Sequence, residues 1–396
     1  MTRVLFAGGQ LFDGTGADPA PADVAVEGGR FTAVGSGLDG DEVVDCTGST
    51  LLPGLFDCHV HVMISGVDPV RIAQTPFSYP FYQAIGNLRA TLDAGITTVR
   101  DAGGADLGLK QAVADGLVAG PRMQISISML SQTGGHADGW MPSGRELPLI
   151  SPHPGRPATI ADGPAEVRRV VRELVRAGAD VIKVATSGGV LSPRDDPRHG
   201  QFRDEEVAVM VAEATAAGIW VMAHAQATEG IKVAVRNGVR SVEHGVYLDD
   251  EAISMMLDRG TWLVPTLAAP RAVLELAAAG VRVAMGTDSG VGAHGDNLGE
   301  IALMVQCGMT PAAALHATTG SAAELLGVAG ELGTVRPGKR ADLVVVDGSP
   351  LDVETLRNRV RAVYQDGRLV SGDPAAPART TAPSSGSGSS APPVTD

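Results

Sequence analysis

The stretch LLPGLFDCHVHV (residues 51–62) decides how the chain is read. It is a run of small and apolar residues carrying two histidines, His59 and His61, two positions apart. In a strand, positions i and i+2 share a face, so both rings project to one side of the strand end. Two imidazoles there suit one divalent ion, because the neutral ring is a frequent zinc ligand. Taken alone, the pair also admits a plainer reading as two histidines on a solvated strand end. Cys58 falls on the opposite face and reads as packing.

Four further segments repeat the arrangement: DVIKVATSGG with Lys183, VMAHA with His224, SVEHG with His244 and VAMGTDSG with Asp288. Each is a run of small and β-branched residues that reads as a buried parallel strand, followed by Gly or small polar residues. Helical spacing precedes several of them, as in PAEVRRVVRELVRAGA (164–179) and RDEEVAVMVAEATAAG (203–218). Glycines at the helix ends suit left-handed caps. From residue 53 to 330, eight strands alternate with helices, which predicts a (β/α)8 TIM barrel. The six side chains then gather at the strand C-termini, where such a barrel builds its active site.

The flanks read differently. Residues 1–52 and 331–371 are short strands broken by glycines, and they predict one small β-sandwich domain built from both chain termini. Residues 373–396 are rich in Pro, Ser, Gly and Ala, the composition of a disordered tail.

At 396 residues, 44% of them hydrophobic, the chain can bury a large core. Its net charge of −14 argues against nucleic acid and anionic membrane as partners, since both demand a basic face. Three cysteines without CxxC spacing support neither a disulfide framework nor a Cys-based zinc site. The N-terminal residues lack the features of a secretion signal, and no stretch of about 18 apolar residues occurs. The expectation is a cytoplasmic protein with a small-molecule substrate. A homo-oligomer stays open.

Lys183 is the sharper clue. A lysine in the apolar run VIKVAT needs a reason, because an unpaired buried ammonium is costly. A neutral amine that has reacted with carbon dioxide becomes a carbamate, an anionic ligand able to bridge two ions. Pairing with a carboxylate, or service as a Schiff-base nucleophile, are the alternatives. His224 and His244, one β/α unit apart, would complete a second ion's shell, though either alone reads as a core histidine. Asp288 is the candidate general base, able to take a proton from water and return it to a leaving group. Its plainer reading is a helix N-cap ahead of NLGEIALMVQCG. His136, in SQTGGHADG, could stabilise an oxyanion or simply face solvent. Gly188 and Gly189 suit either a close backbone approach or a tight turn. Arg194, Arg198 and Arg203 could meet a substrate carboxylate. His153, His199, His294 and His316 receive no role.

These motifs, together with LFDGTG, AGITTVRDAGG and GKRADLVVVDGSPL, resemble the amidohydrolase superfamily over about residues 3–371. The likeness is greatest to its branch of imidazolonepropionase-like enzymes and Xaa-Pro or Xaa-Arg/Lys dipeptidases. The resemblance implies a metal-dependent hydrolase of C–N bonds with two divalent ions, usually zinc. His59 and His61 would serve one ion and His224 and His244 the other, with carboxylated Lys183 bridging and Asp288 contacting the first. A hydroxide between the ions would attack the amide carbonyl of a dipeptide or N-acyl amino acid. Alternatives are a lactone, carbamate or organophosphate hydrolase, a cyclic-amide hydrolase, or a non-catalytic scaffold. Two departures stand out. Ala225 follows His224 where peptidase-like relatives carry Tyr, and the connection AAPRAVLELAAAG between the last two barrel strands is short.

Overall fold

In the computed structural model the described residues are 2–190, 195–266 and 279–375. Parallel strands and helices alternate through the middle of the chain. Leu55–Val60, Ile96–Asp101 and Arg122–Ile125 form a three-stranded parallel sheet with Ile96–Asp101 in the centre. Met129–Leu130, Val181–Ala185, Trp220–Ala225, Ser241–His244 and Trp262–Val264 form a five-stranded parallel sheet in sequence order. The two sheets approach each other where Asp180 N–H donates to the Ile125 carbonyl at 2.8 Å. Between Ile125 and Met129 the chain leaves the strand, with Ile127 turned left-handed at φ 68°.

VRVAMGTDSG was expected as an eighth regular strand, and it is not one. It runs from the strand Trp262–Val264 to the strand Leu55–Val60 through single parallel bridges, Leu263 to Val283 and Val60 to Ser289. Cys58 N–H donates to the Met285 carbonyl at 2.9 Å, and Asp288 N–H to the His59 carbonyl at 2.8 Å. The irregularity has a local cause. Gly286 lies so close to His59 that an added Cβ would sit 2.8 Å from the His59 Cβ. Asp288 then turns left-handed at φ 58°, which ends the extended backbone.

The helices form where the apolar spacing predicts them. In Gly163–Arg176, Val167, Val170, Val171 and Leu174 are buried, a stripe at i, i+3, i+4 and i+7 that packs against the strands. Asp250–Arg259 ends on Gly260 at φ 62°, a left-handed cap. Along Leu55–Val60 the faces divide. Phe56 and Cys58 join an apolar cluster with Trp262, Val264, Ala284 and Leu325, while Asp57 and His59 turn to polar partners.

The terminal segments form two further sheets. One runs Arg30–Gly35, Asp23–Glu27, Val4–Ala7, Glu42–Asp45; the other runs Arg368–Gly372, Val360–Gln365, Leu343–Asp347, Ser49–Pro53, Gln10–Leu11, Ala20–Pro21. A shared apolar cluster includes Phe6, Val26 and Phe31 from the first and Leu51, Leu343 and Val345 from the second. Phe6 and Tyr364 meet edge-on with centroids 4.9 Å apart. Ser49–Pro53 pairs antiparallel with Leu343–Asp347, so the two ends of the chain share one sheet. Gly54 then leads straight into the His59 strand.

No helix among the described residues is long and apolar enough to cross a membrane. Most of the short connection at 268–280, Arg194 and the tail from 376 onward lie outside the described residues.

Gly54 donates its N–H to Asp342 at 2.9 Å, and a Cβ there would sit 2.7 Å from the Asp342 Cβ and press on the Thr97 side chain. Gly54→Ala is therefore expected to cost roughly 1–3 kcal/mol of stability by overpacking. A urea titration checks this: the midpoint falls at an unchanged slope, whereas an unmoved midpoint would show that the junction yields freely.

Candidate metal centre

Five of the strand-end side chains converge on one buried point. His59 Nε2 lies 3.5 Å from Asp288 Oδ1 and 3.3 Å from Lys183 Nζ, and His61 Nε2 lies 3.2 Å from Asp288 Oδ1. The His59 and His244 ring centroids are 5.1 Å apart, and those of His224 and His244 4.6 Å. His59, His244 and Asp288 offer ligand atoms that all lie within 4.8 Å of one another. The sequence pairs the histidines as 59 with 61 and 224 with 244. The structure groups His59 with His244 as well, across the centre.

Each histidine is fixed by a bond on the nitrogen facing away from that point. His59 Nδ1 donates to Glu243 Oε2 at 2.7 Å, and His61 Nδ1 donates to the Gly103 carbonyl at 2.8 Å. His244 Nδ1 shares a 2.7 Å hydrogen bond with the Thr266 hydroxyl. His224 Nε2 donates to the Gly188 carbonyl at 3.1 Å, which leaves the lone pair on Nδ1. A partner on one nitrogen sets the tautomer and aims the other lone pair, as metal-ligating histidines require.

The electrostatics agree with this. Burial, with the Lys183 charge, holds the His59 ring down at about 4; burial and His59 hold His244 at about 3. Burial and the charges of His136 and His244 push His224 well below its ordinary value. These three rings are neutral near pH 7 and carry free lone pairs. Burial lowers Lys183 to about 8, so part of its amine is unprotonated near neutral pH. Burial opposes the charge on Asp288, but the His61 hydrogen bond and the charges of His59, His61 and His244 hold its carboxyl well below the usual range. His61, beside that carboxylate, is raised despite burial. Neutral nitrogens and an ionised carboxylate around one point fit a divalent cation.

Backbone strain concentrates here as well. His244 at φ 72°, Thr266 at φ 44° and Asp288 at φ 58° are three of the six non-glycine residues with positive φ among the described residues. Such conformations cost about 1–3 kcal/mol each and persist where function over-determines them. At His244 the consequence is direct. Glu243 and His244 are consecutive, yet Glu243 reaches His59 and the His244 ring also packs on the His59 ring, because the left-handed backbone breaks the strand's alternation.

Several residues that hold the site were missed by the motif reading. Glu243 is fully buried and accepts from Arg100 Nη2 at 2.9 and 3.0 Å as well as from His59. Burial alone would raise its carboxyl; Arg100 and the His59 hydrogen bond bring it down to about 2. Asp57 accepts from the Thr287 hydroxyl at 2.6 Å and Asn297 Nδ2 at 2.8 Å, tying the turn that carries Asp288 to the His59 strand. Asp101 accepts from Val62, Gly103 and Ala105, which sets the loops on either side of His61. A signal was present: Arg100 and Glu243 are charges inside apolar strands, as Lys183 is.

His136 stacks on His224, centroids 4.2 Å apart and planes 17° from parallel, and its Nδ1 faces Asp195 Oδ2 at 3.4 Å. A Cβ on Gly189 would run into the His136 ring, and its φ is not positive, so Gly189 serves close approach rather than a turn. Asp288 is no helix cap: the helix after it is Gly299–Gln306, capped by Leu298. Arg198 is spent on Asp196 at 2.6 Å in the open, and Arg203 caps the helix Asp204–Ala216.

Glu243→Gln leaves the buried Arg100 guanidinium without its counter-charge. We expect the variant to lose about 3–5 kcal/mol of stability and to bind zinc roughly 10–100-fold more weakly. Thermal unfolding and competition with a chromogenic chelator measure the two effects, and wild-type zinc affinity in Glu243→Gln would remove the carboxylate from the site.

A model of the amidohydrolase family matches residues 50–370 of the chain. Ochratoxinase from Aspergillus niger is 34% identical over 372 residues, covering 81% of this chain and 76% of that protein. Imidazolonepropionase from Geobacillus sp. (strain WCH70) is 26% identical over 410 residues, covering 88% and 89%. Among solved structures, a Xaa-Pro dipeptidase with methionine bound in its active site superposes with a TM-score of 0.84 at 32% identity, over 93% of this chain and 99% of that one. The chain belongs to the amidohydrolase family and is a hydrolase acting on amide-type bonds.

Proposed function

We propose that the protein is a two-metal amidohydrolase that cleaves the C–N bond of a dipeptide or an N-acyl amino acid. The observation that carries this reading is the convergence of His59, His61, Lys183, His244 and Asp288 on one buried point, with His224 packed against His244. Around it the reading takes the two parallel sheets and the bridged segment 281–289 as a closed (β/α)8 barrel over residues 53–330. Residues 1–52 and 331–371 then form a composite β-sandwich, for which the shared apolar cluster is the support.

In this reading His59, His61 and Asp288 would hold one divalent ion and His224 and His244 the other, with carboxylated Lys183 as a shared ligand. The nitrogen-rich set suits zinc. Bound there, such ions polarise a carbonyl and acidify water. The Lys183 amine, neutral in part, adds to the carbon of CO2, forming an N–C bond and releasing one proton. Its burial among three histidines shields the resulting carbamate. Asp288, held ionised beside His61, takes the proton of the attacking water and delivers it to the departing nitrogen as the C–N bond breaks. His136, stacked on His224, would donate to the substrate carbonyl oxygen as charge develops there.

The relatives support an amide substrate, ochratoxinase and the Xaa-Pro dipeptidase above all.

Asp288→Asn should lower kcat by about 10²–10⁴-fold, the range of general acid–base catalysis, while the protein keeps most of its metal. Steady-state assays on N-acyl amino acids and elemental analysis of the same sample test this. Unchanged turnover would take Asp288 out of the mechanism. Exhaustive chelation should abolish turnover of the wild type and zinc should restore it; activity that survives chelation would overturn the metal-dependent reading.

A further inference from the structure

A cavity of about 650 Å³ lies against the centre, with His136 in its wall. That volume is within the range of pockets that take drug-sized groups, far more than an acetyl or a small side chain needs. The same His136 ring stacks on His224, which ties this wall of the cavity to the candidate centre. Its walls come from the loop after the third barrel segment and from the loop after His61.

The lining is apolar and lacks cations. Met129, Trp140, Met141, Leu147, Leu149 and Ile160 supply much of the surface, and Trp140 is 48% exposed. Several of its polar side chains are engaged within the protein. Ser128 and Thr159 share a 3.2 Å hydrogen bond, Thr133 donates to Asp162 at 2.6 Å, and Asp138 accepts from the N–H groups of Gly134 and Trp140. Besides His136, the ionisable lining residues are the acids Asp138 and Glu146. Arg71 and Arg156 line an adjoining cavity of about 190 Å³ that shares Val67, Ile72, Leu149 and Ile150 with this one, and Arg156 is engaged by the carbonyls of Ser151 and Gly104.

We infer that this cavity is the acyl subsite and that the enzyme acts on amides of bulky, uncharged, aromatic acyl groups. The inference rests on the amidase reading above. Two acids and no lysine or arginine exclude the carboxylate-bearing amino-acid half of the substrate, and the apolar walls gain from a ring that leaves water. Trp140 offers a face for stacking.

The test compares zinc-loaded wild type and Ala158→Trp on N-acetyl- and N-(2-naphthoyl)-alanine. Ala158 lies exposed on the cavity lining, so indole fills the space without disturbing the core. In the wild type, kcat/KM should favour naphthoyl by about a hundredfold, the scale of burying one aromatic ring. In Ala158→Trp, with an unchanged circular dichroism spectrum and melting point, that preference should fall at least about tenfold. Equal turnover of the two amides, or a preference that Ala158→Trp leaves alone, would overturn the acyl subsite while the amidase reading stands. If neither amide is hydrolysed, the amidase reading fails, and equilibrium binding of N-(2-naphthoyl)-alanine, read by its fluorescence, decides the cavity. Saturable binding weakened in Ala158→Trp upholds it; no binding, or binding equal in both proteins, overturns it.

Discussion

A carboxylate with no access to water organises this protein. Glu243 meets Arg100 from the neighbouring sheet and His59 from the strand beside it, and the pair is buried on both sides. Taking a guanidinium and a carboxylate out of water costs several kcal/mol per ion, which their mutual attraction offsets only if the geometry is good and the remaining groups are bonded. Here they are. Arg100 Nε donates to the Cys58 carbonyl, Arg100 Nη1 to the Ser241 hydroxyl, and Ser241 to Glu243. Three strands are thereby held at one relative height, with His59 and His244 facing each other.

From that constraint the rest of the centre follows. Glu243 fixes the His59 tautomer and so the direction of its lone pair. Asp57, two residues earlier on the same strand, ties down the turn after the last segment, and Asp288 takes its strained backbone from that turn. Burial then keeps His59, His224 and His244 neutral and Lys183 near the point at which its amine loses a proton. Glu300, buried close by, is pushed well above its usual range by burial and by the charges of Asp57 and Asp288, so it keeps its proton and adds no further charge. The centre collects lone pairs and one anion while its surroundings stay close to neutral.

The parallel strands were legible because a buried parallel strand has a simple signature, and the candidate site residues because each is an ionisable group breaking such a run. The same logic applied to ITTVRD and SVEHG would have brought out Arg100 and Glu243; attention to ligand motifs passed over the groups that orient the ligands. Two features could not be read from a one-dimensional pattern. The irregular path of residues 281–289 arises from the close approach of Gly286 to His59, a contact between segments more than two hundred positions apart. The joint direction of Glu243 and His244 needs a left-handed histidine, for which the sequence offers only the following glycine as a hint. The role of Gly189 emerges from a ring stacked against it, and the acyl cavity from loops whose Pro- and Gly-rich sequence carries no period.

The central claim is that these side chains hold two ions bridged by a modified lysine. Crystals of the full chain grown with zinc and bicarbonate, with diffraction recorded on both sides of the zinc absorption edge, test it most directly. The account predicts two anomalous peaks, one beside His59, His61 and Asp288 and one beside His224 and His244, with density for a carboxyl group beyond Lys183 Nζ reaching both. A single peak, or none, with an unmodified Lys183 side chain would contradict it.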